Sequence, residues 1–233
     1  MSTETLPVID IRDFDSAATR GAIDAACREW GFFQVVGHGI DARTTNALHE
    51  QMRAFFALPL SAKRAIMRTA ENPWGFYDRE LTKQTRDWKQ IFDFGPPDGG
   101  ALVPQLPREL PLFERTIARF YAECDALALA LVDVIAGNLG MPRGALAGCF
   151  RPQHTSFLRL NYYPPCPEPA RPADLATARD GYLGVNQHTD AGALTLLLQD
   201  DQPGLEVFRD REWHLVEPRR GALGVNNGDL VQV

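Results

Sequence analysis

Along the first half of the chain the hydrophobic positions switch period several times. LPVIDI (6–11) and GFFQVVG (31–37) are apolar runs of strand length, whereas 16–30 and 41–57 carry apolar residues at helical spacing, so strand, helix, strand, helix is the expected order. A short helix is expected over 61–67, opened by Ser61 as N-cap, and NPWGFYDRE (72–80) has the Asn, Pro and Gly punctuation of a loop. DWKQIFDFG (87–95) reads as a strand, and a Pro- and Gly-rich connection fills 96–111. Phe113, Ile117, Phe120, Cys124, Leu127, Leu131 and Val134 then recur every three or four residues, the stripe of a long helix that needs a large apolar partner. From Ser156 the pattern becomes one of short strands and turns, at 156–163, 182–190, 193–199, 204–209, 212–218 and 223–233. A Pro-rich stretch, 164–181, parts the first two, and a turn at Arg209 to Arg211 makes a hairpin of the strands around it. The pattern therefore predicts a mixed α/β N-terminal region followed by a β sandwich or barrel. Its last alternation, 223–233, has no closing turn and is expected to leave an unpaired sheet edge.

Composition narrows the partners. The 233 residues are 45% hydrophobic and 23% charged, with a formal net charge of −6 and a pI near 5.4. Without a Lys/Arg stripe to track phosphates, nucleic acid is excluded as the expected partner, and small molecules are favoured. Neither a signal peptide nor an apolar run of membrane-spanning length is evident, so no membrane association is expected. Cys27, Cys124, Cys149 and Cys166 are widely spaced and form no C-x-x-C pair, which fits a reducing cytoplasm. A monomer is the expected state.

The chemistry concentrates in GVNQHTDAGALTLLL (184–198), where a histidine and an aspartate stand two residues apart. On a strand, His188 and Asp190 would project from the same face, and an imidazole nitrogen beside a carboxylate oxygen suits a divalent ion. The alternative is a solvated pair capping a turn at Asp190, Ala191 and Gly192. Leu194, Thr195, Leu196, Leu197 and Leu198 read as barrel core, while Gly221, Asn227 and Gly228 look like turn or bulge positions. GHG at 37–39 reads as a turn with His38 structural.

Taken together, RLNYYPPCPEP (159–169) and the run from GVNQHTD to the last residue resemble the iron(II)- and 2-oxoglutarate-dependent dioxygenases of the isopenicillin N synthase-like type. PVIDI, REWGFFQVVGHGI, FFALPLSAK and DWKQIFDFG resemble the helical and strand region that precedes the barrel in that family. The resemblance implies an N-terminal α/β domain over 1–110 and a long helix with its connection over 111–150. A partial double-stranded β-helix (jelly-roll, cupin-like) would then occupy 151–233. It assigns iron to His188 and Asp190 and the 2-oxoglutarate carboxylates to Asn161 and Tyr163. Trp74, Phe76, Tyr77, Ile91 and Phe92 become candidates for lining the substrate, with core packing as the alternative. The implied enzyme consumes O2 and 2-oxoglutarate, releases succinate and CO2, and hydroxylates a small organic substrate, desaturation or ring closure being variants. Rival readings are an oxidase of the same fold that uses no 2-oxoglutarate, and a fragment acting only as a binding module.

One departure from the family pattern stands out. The five histidines are His38, His49, His154, His188 and His214, and only His214 follows Asp190. It sits behind Trp213 in EWHLVEP, a strand with no metal role in the family. The family's distal histidine and the Arg-x-Ser pair that grips the far carboxylate of 2-oxoglutarate are not found, so the expectation is a partial chain with an incomplete jelly roll.

Overall fold

A computed structural model describes residues 5–95, 102–150, 156–170 and 181–231. In chain order the elements are β1 (Val8–Asp10), α1 (Ala17–Glu29), β2 (Phe32–Val36), α2 (Ala42–Ala57), α3 (Leu60–Arg64), β3 (Gly75–Tyr77), β4 (Leu81–Thr82) and β5 (Thr85–Arg86). They continue with β6 (Gln90–Phe94), α4 (Phe113–Asn138), α5 (Ala147–Phe150), β7 (Leu158–Tyr162), β8 (Leu194–Leu197), β9 (Glu206–Arg209), β10 (Glu212–Leu215) and β11 (Leu223–Asn227). These fall into two units that interleave along the chain: 1–42 with 122–154 and 189–233, and 43–121 with 155–188.

The first unit is built on a four-stranded sheet in the order β1-β2-β11-β8, parallel at β1-β2 and antiparallel elsewhere. α1 shows how local sequence sets an element. Ser16, in extended backbone, accepts a hydrogen bond from the Thr19 amide at 3.1 Å and opens the helix. Thr19, Ile23 and Ala26 then recur at helical spacing to form the buried stripe. The helix stops at Gly31, whose φ of +64° lets both Trp30 and Gly31 return their amides to the Ala26 carbonyl. Ile23 joins Phe33, Val35, Leu131, Leu223 and Val225 in a core from which water is excluded. Each such side chain contributes about 1.5–3 kcal/mol through burial. The buried Gln34 is satisfied by donating to the Glu217 carbonyl at 2.9 Å.

The second unit carries the antiparallel sheet β3-β6-β7. Behind it Phe55 meets Phe92 and Phe113 with ring centroids 5.1 and 5.0 Å apart, and Phe76 at 6.2 Å. Asp93 and Arg159 face one another across β6 and β7 in a two-pronged ion pair of 2.7 and 2.8 Å, with Arg68 and Glu80 completing the network. Burial opposes the Arg159 charge, but its hydrogen bonds and the charges of Asp93 and Glu80 outweigh that and raise its pKa.

Several expectations need correction. Ser61 does not cap α3: Pro59 holds the cap position and makes no side-chain cap bond, while Ser61 lies inside the helix. The loop expected at 72–80 contains β3, paired with β6. Segment 182–190 is not a strand; its backbone is irregular apart from an isolated bridge between Pro169 and Tyr182. Nor is Leu223–Asn227 an unpaired edge, since β11 is bonded on both sides, to β2 and to β8; residues 232 and 233 of that expected edge lie outside the described residues. Of the Pro-rich stretch 164–181, residues 171–180 lie outside the described residues, as do 96–101 of the earlier connection.

Candidate metal and co-substrate site

The His188-x-Asp190 pair sits in irregular backbone, so strand alternation is not what brings its members close. Two residues apart, their Cα atoms lie within about 7 Å whatever the backbone does. The structure holds each by its own set of bonds.

His188 is exposed, and its Nδ1 lies 2.8 Å from the Asn186 carbonyl. A carbonyl only accepts, so Nδ1 is the donor to it, and in the neutral ring Nε2 is then the nitrogen with the lone pair. That is the tautomer and ring anchoring characteristic of a histidine poised to bind a metal through Nε2. Asp190 receives two donors on Oδ2, the Thr195 hydroxyl at 2.6 Å and the Asn226 amide at 2.9 Å. Thr195 and Asn226 are directly opposite partners on β8 and β11, which explains why both reach one oxygen. The Asp190 main chain is fixed as well, its carbonyl accepting from the Asp229 amide at 2.7 Å. Gly228 packs so closely here that a Cβ would fall 2.0 Å from the Gly192 carbonyl oxygen. An imidazole nitrogen and an oriented carboxylate are both ligand types that ferrous iron accepts.

Among the described residues no group of three His, Cys, Asp or Glu is gathered for a metal. His214 lies on β10 edge-on to Trp30, with ring centroids 5.2 Å apart, and its buried Nε2 has no partner among the described residues. The His38 Nδ1 accepts from the Ile40 amide at 3.2 Å, and burial lowers its pKa against a backbone bond to Gly221. His154 lies outside the described residues.

Asn161 is half-buried on β7, and Tyr163 follows one residue beyond the strand's end. The Tyr163 ring lies over Gly184, where a Cβ would come within 2.8 Å of it. Although half of the residue's surface is open, burial of the phenol and the nearby Asp87 charge push its pKa up, against a smaller opposing effect of Arg159. Tyr163 is therefore an O–H donor across the neutral range. Phe76, Ile91 and Phe92 have no exposed surface and belong to the core alternative stated for them. Trp74 and Tyr77 keep partial exposure; Arg68 stacks over the Tyr77 ring at 3.9 Å, and the buried Trp74 Nε1 has no acceptor among the described residues.

Sequence reasoning missed the bond of Thr195 to Asp190, having assigned Thr195 to the barrel core, and the bonds of Asn226 to Asp190 and of Asn186 to His188. Thr195 and Asn226 each follow strand alternation that points to no ligand, and only the register of β8 on β11 shows that they converge.

Comparisons with known proteins agree with this chemistry. Residues 6–110 match the family model for the N-terminal region of non-haem dioxygenases in morphine synthesis, and residues 154–233 match that of the 2OG-Fe(II) oxygenase superfamily. Gibberellin 20 oxidase 2 of Oryza sativa subsp. indica is 36% identical over 241 residues, covering 96% of this chain but 59% of its own length. Flavonol synthase/flavanone 3-hydroxylase of Arabidopsis thaliana is 32% identical over 235 residues, covering 98% of this chain and 67% of its own. The structure of JOX2 in complex with 2OG, Fe and JA superposes with a TM-score of 0.81 at 30% identity, over 98% of this chain and 66% of that one. A putative 2OG-Fe(II) oxygenase family protein from Caulobacter crescentus shares the fold, with a TM-score of 0.80 at 24% identity over 98% of this chain and 76% of its own. Both matched models describe non-haem iron oxygenases. The chain belongs to the 2-oxoglutarate- and iron(II)-dependent dioxygenase family, and it spans 59% of the length of the gibberellin oxidase it matches.

Proposed function

We propose that this chain is part of a dioxygenase that uses Fe(II), 2-oxoglutarate and O2 to oxidise a small organic substrate, with hydroxylation as its outcome. The observation that carries the reading is the anchoring of each member of the H-x-D pair: His188 bonded through Nδ1 to the Asn186 carbonyl, and Asp190 oriented by Thr195 and Asn226. When bound, the iron supplies the O2 activation that couples oxidative decarboxylation of 2-oxoglutarate to substrate oxidation. The protein binds, orients and excludes water. His188 and Asp190 hold the ion; Tyr163, with Asn161, offers neutral donors to the co-substrate's carboxylates. Trp74 and Tyr77 keep the partial exposure a substrate-facing residue needs.

In this reading 1–110 is the N-terminal domain, 111–150 the helix and its connection, and 151–233 belongs to a double-stranded β-helix. The enzyme is a cytoplasmic monomer. Its four free cysteines support the cytoplasmic placement. The test is succinate formation from 2-oxoglutarate with Fe(II) and O2 in the full-length protein, alone and with candidate substrates. Succinate that appears in wild type and disappears in Asp190→Ala is the expected result. Substrate oxidation without succinate would mean an oxidase that needs no 2-oxoglutarate, and iron-independent behaviour would overturn the assignment.

A further inference from the structure

Asp87 is a carboxylate with almost no exposed surface, 99 residues from the segment it binds. Burying a charge is costly unless every oxygen finds a partner. Here one oxygen, Oδ2, faces its own stretch of chain, accepting from the Thr82 hydroxyl at 2.8 Å and pairing with the buried Lys89 ammonium at 3.3 Å. The other, Oδ1, reaches Asn186 twice, through the backbone amide at 3.0 Å and the side-chain amide at 2.7 Å. The Asn186 carbonyl is the group that accepts the hydrogen bond from His188 Nδ1–H. Around it, residues 181–188 have no sheet ladder to hold them; the neighbouring tie is the Trp88 amide to the Leu183 carbonyl at 2.8 Å.

We propose that Asp87 is a positioning residue for the metal ligand His188, acting through Asn186. By gripping both amides of Asn186, Asp87 fixes the direction of that residue's carbonyl, and the carbonyl fixes the imidazole tautomer and ring plane. Without the grip the Asn186 carbonyl can turn away, its preference for Nδ1–H is weakened, and the Nε2–H form gains population. The buried ion pair with Lys89 serves the same end, because a fully engaged carboxylate cannot rotate away from Asn186. This rests on the metal role proposed for His188, and the experiment separates the two.

The full chain, labelled with 15N, is examined by two-bond 15N–1H correlation of its imidazoles, with His188→Gln assigning the His188 signals. Wild type should show one Nδ1–H tautomer at His188. Asp87→Ala and Asn186→Ala should both introduce the Nε2–H form and weaken Co(II) binding, read by titration, roughly 10- to 100-fold. Asn186→Ala keeps the Asp87–Lys89 pair intact and reads the same link if Asp87→Ala does not fold. Leu160→Ala, which opens the core of the same unit, should leave the tautomer unchanged and so exclude general loosening. A folded variant at either position that keeps the wild-type tautomer and Co(II) affinity overturns the positioning role while the metal assignment stands. A wild type with a locked tautomer that takes up no Co(II) overturns the metal assignment, and the role with it.

Discussion

Thr195→Val changes one atom group and leaves the shape of β8 alone, so its effect can be worked out from the bond it removes. The hydroxyl donates to a carboxylate at 2.6 Å in a half-buried setting. Hydrogen bonds to charged groups contribute about 1.5–3 kcal/mol. Asn226 remains as a second donor to the same oxygen at 2.9 Å, so orientation of Asp190 is weakened but not lost, and the lower end of that range applies. A loss of about 1.5 kcal/mol corresponds to roughly a tenfold weaker metal complex. That agrees with the lower bound for removing a hydrogen-bond partner of a metal ligand, about tenfold. Co(II) titration by calorimetry measures it directly, with Thr195→Ser as the variant that keeps the hydroxyl and should keep most of the affinity. Valine with wild-type affinity, or serine as weak as valine, would show that the Thr195 bond has no part in holding Asp190 for a metal.

Three further outcomes follow from the structure. Gly228→Ala forces a Cβ to 2.0 Å from the Gly192 carbonyl oxygen, backbone against backbone, and should destabilise by at least the ~3 kcal/mol upper end of overpacking; an unchanged urea midpoint would refute the packing described. Burial, with a smaller push from Glu123, drives the Cys124 thiol up to about 12, so Cys124 should resist iodoacetamide at neutral pH while exposed Cys149 is modified, as peptide mass mapping would read. The folded chain holds the Tyr163 proton above the ordinary phenol pKa of about 10, whereas the unfolded chain releases it there; stability from this group is therefore intact below about pH 10 and is lost as pH rises through the folded value. Alkaline unfolding of Tyr163→Phe, compared with wild type, should show a shallower decline, and parallel curves would count against the enclosed phenol.

Where the sequence was informative, the signal was local. The helical spacing over 16–30 marks α1, the Phe113 stripe marks α4, and the turn at Arg209 to Arg211, where Asp210 and Arg211 have positive φ, makes the β9-β10 hairpin. The β4-β5 hairpin escaped because its turn residues, Lys83 and Gln84, adopt positive φ without any Gly or Asn to signal it. Segment 182–190 misled because Tyr, Leu and Val resemble a strand, yet its backbone groups are engaged by Asp87, Trp88 and Glu168 rather than by a ladder. Spacing and context single out His188 and Asp190 as candidates, but the residues bonded to them could not be read from either segment. Asn186 and Asp87 meet across 99 residues, and nothing in either segment alone marks the other.

The place of β11 in its sheet has a consequence for biosynthesis. Phe33 and Val225 are paired strand partners, so β2 waits for a neighbour that leaves the ribosome about 190 residues later, which at 5–20 residues per second is roughly 10–40 s. Until then the apolar edge of β2 is open to chaperones or to other nascent chains. Any truncation that removes Leu223–Asn227 takes an inner strand out of the sheet and leaves β2 and β8 without the partner that joins them.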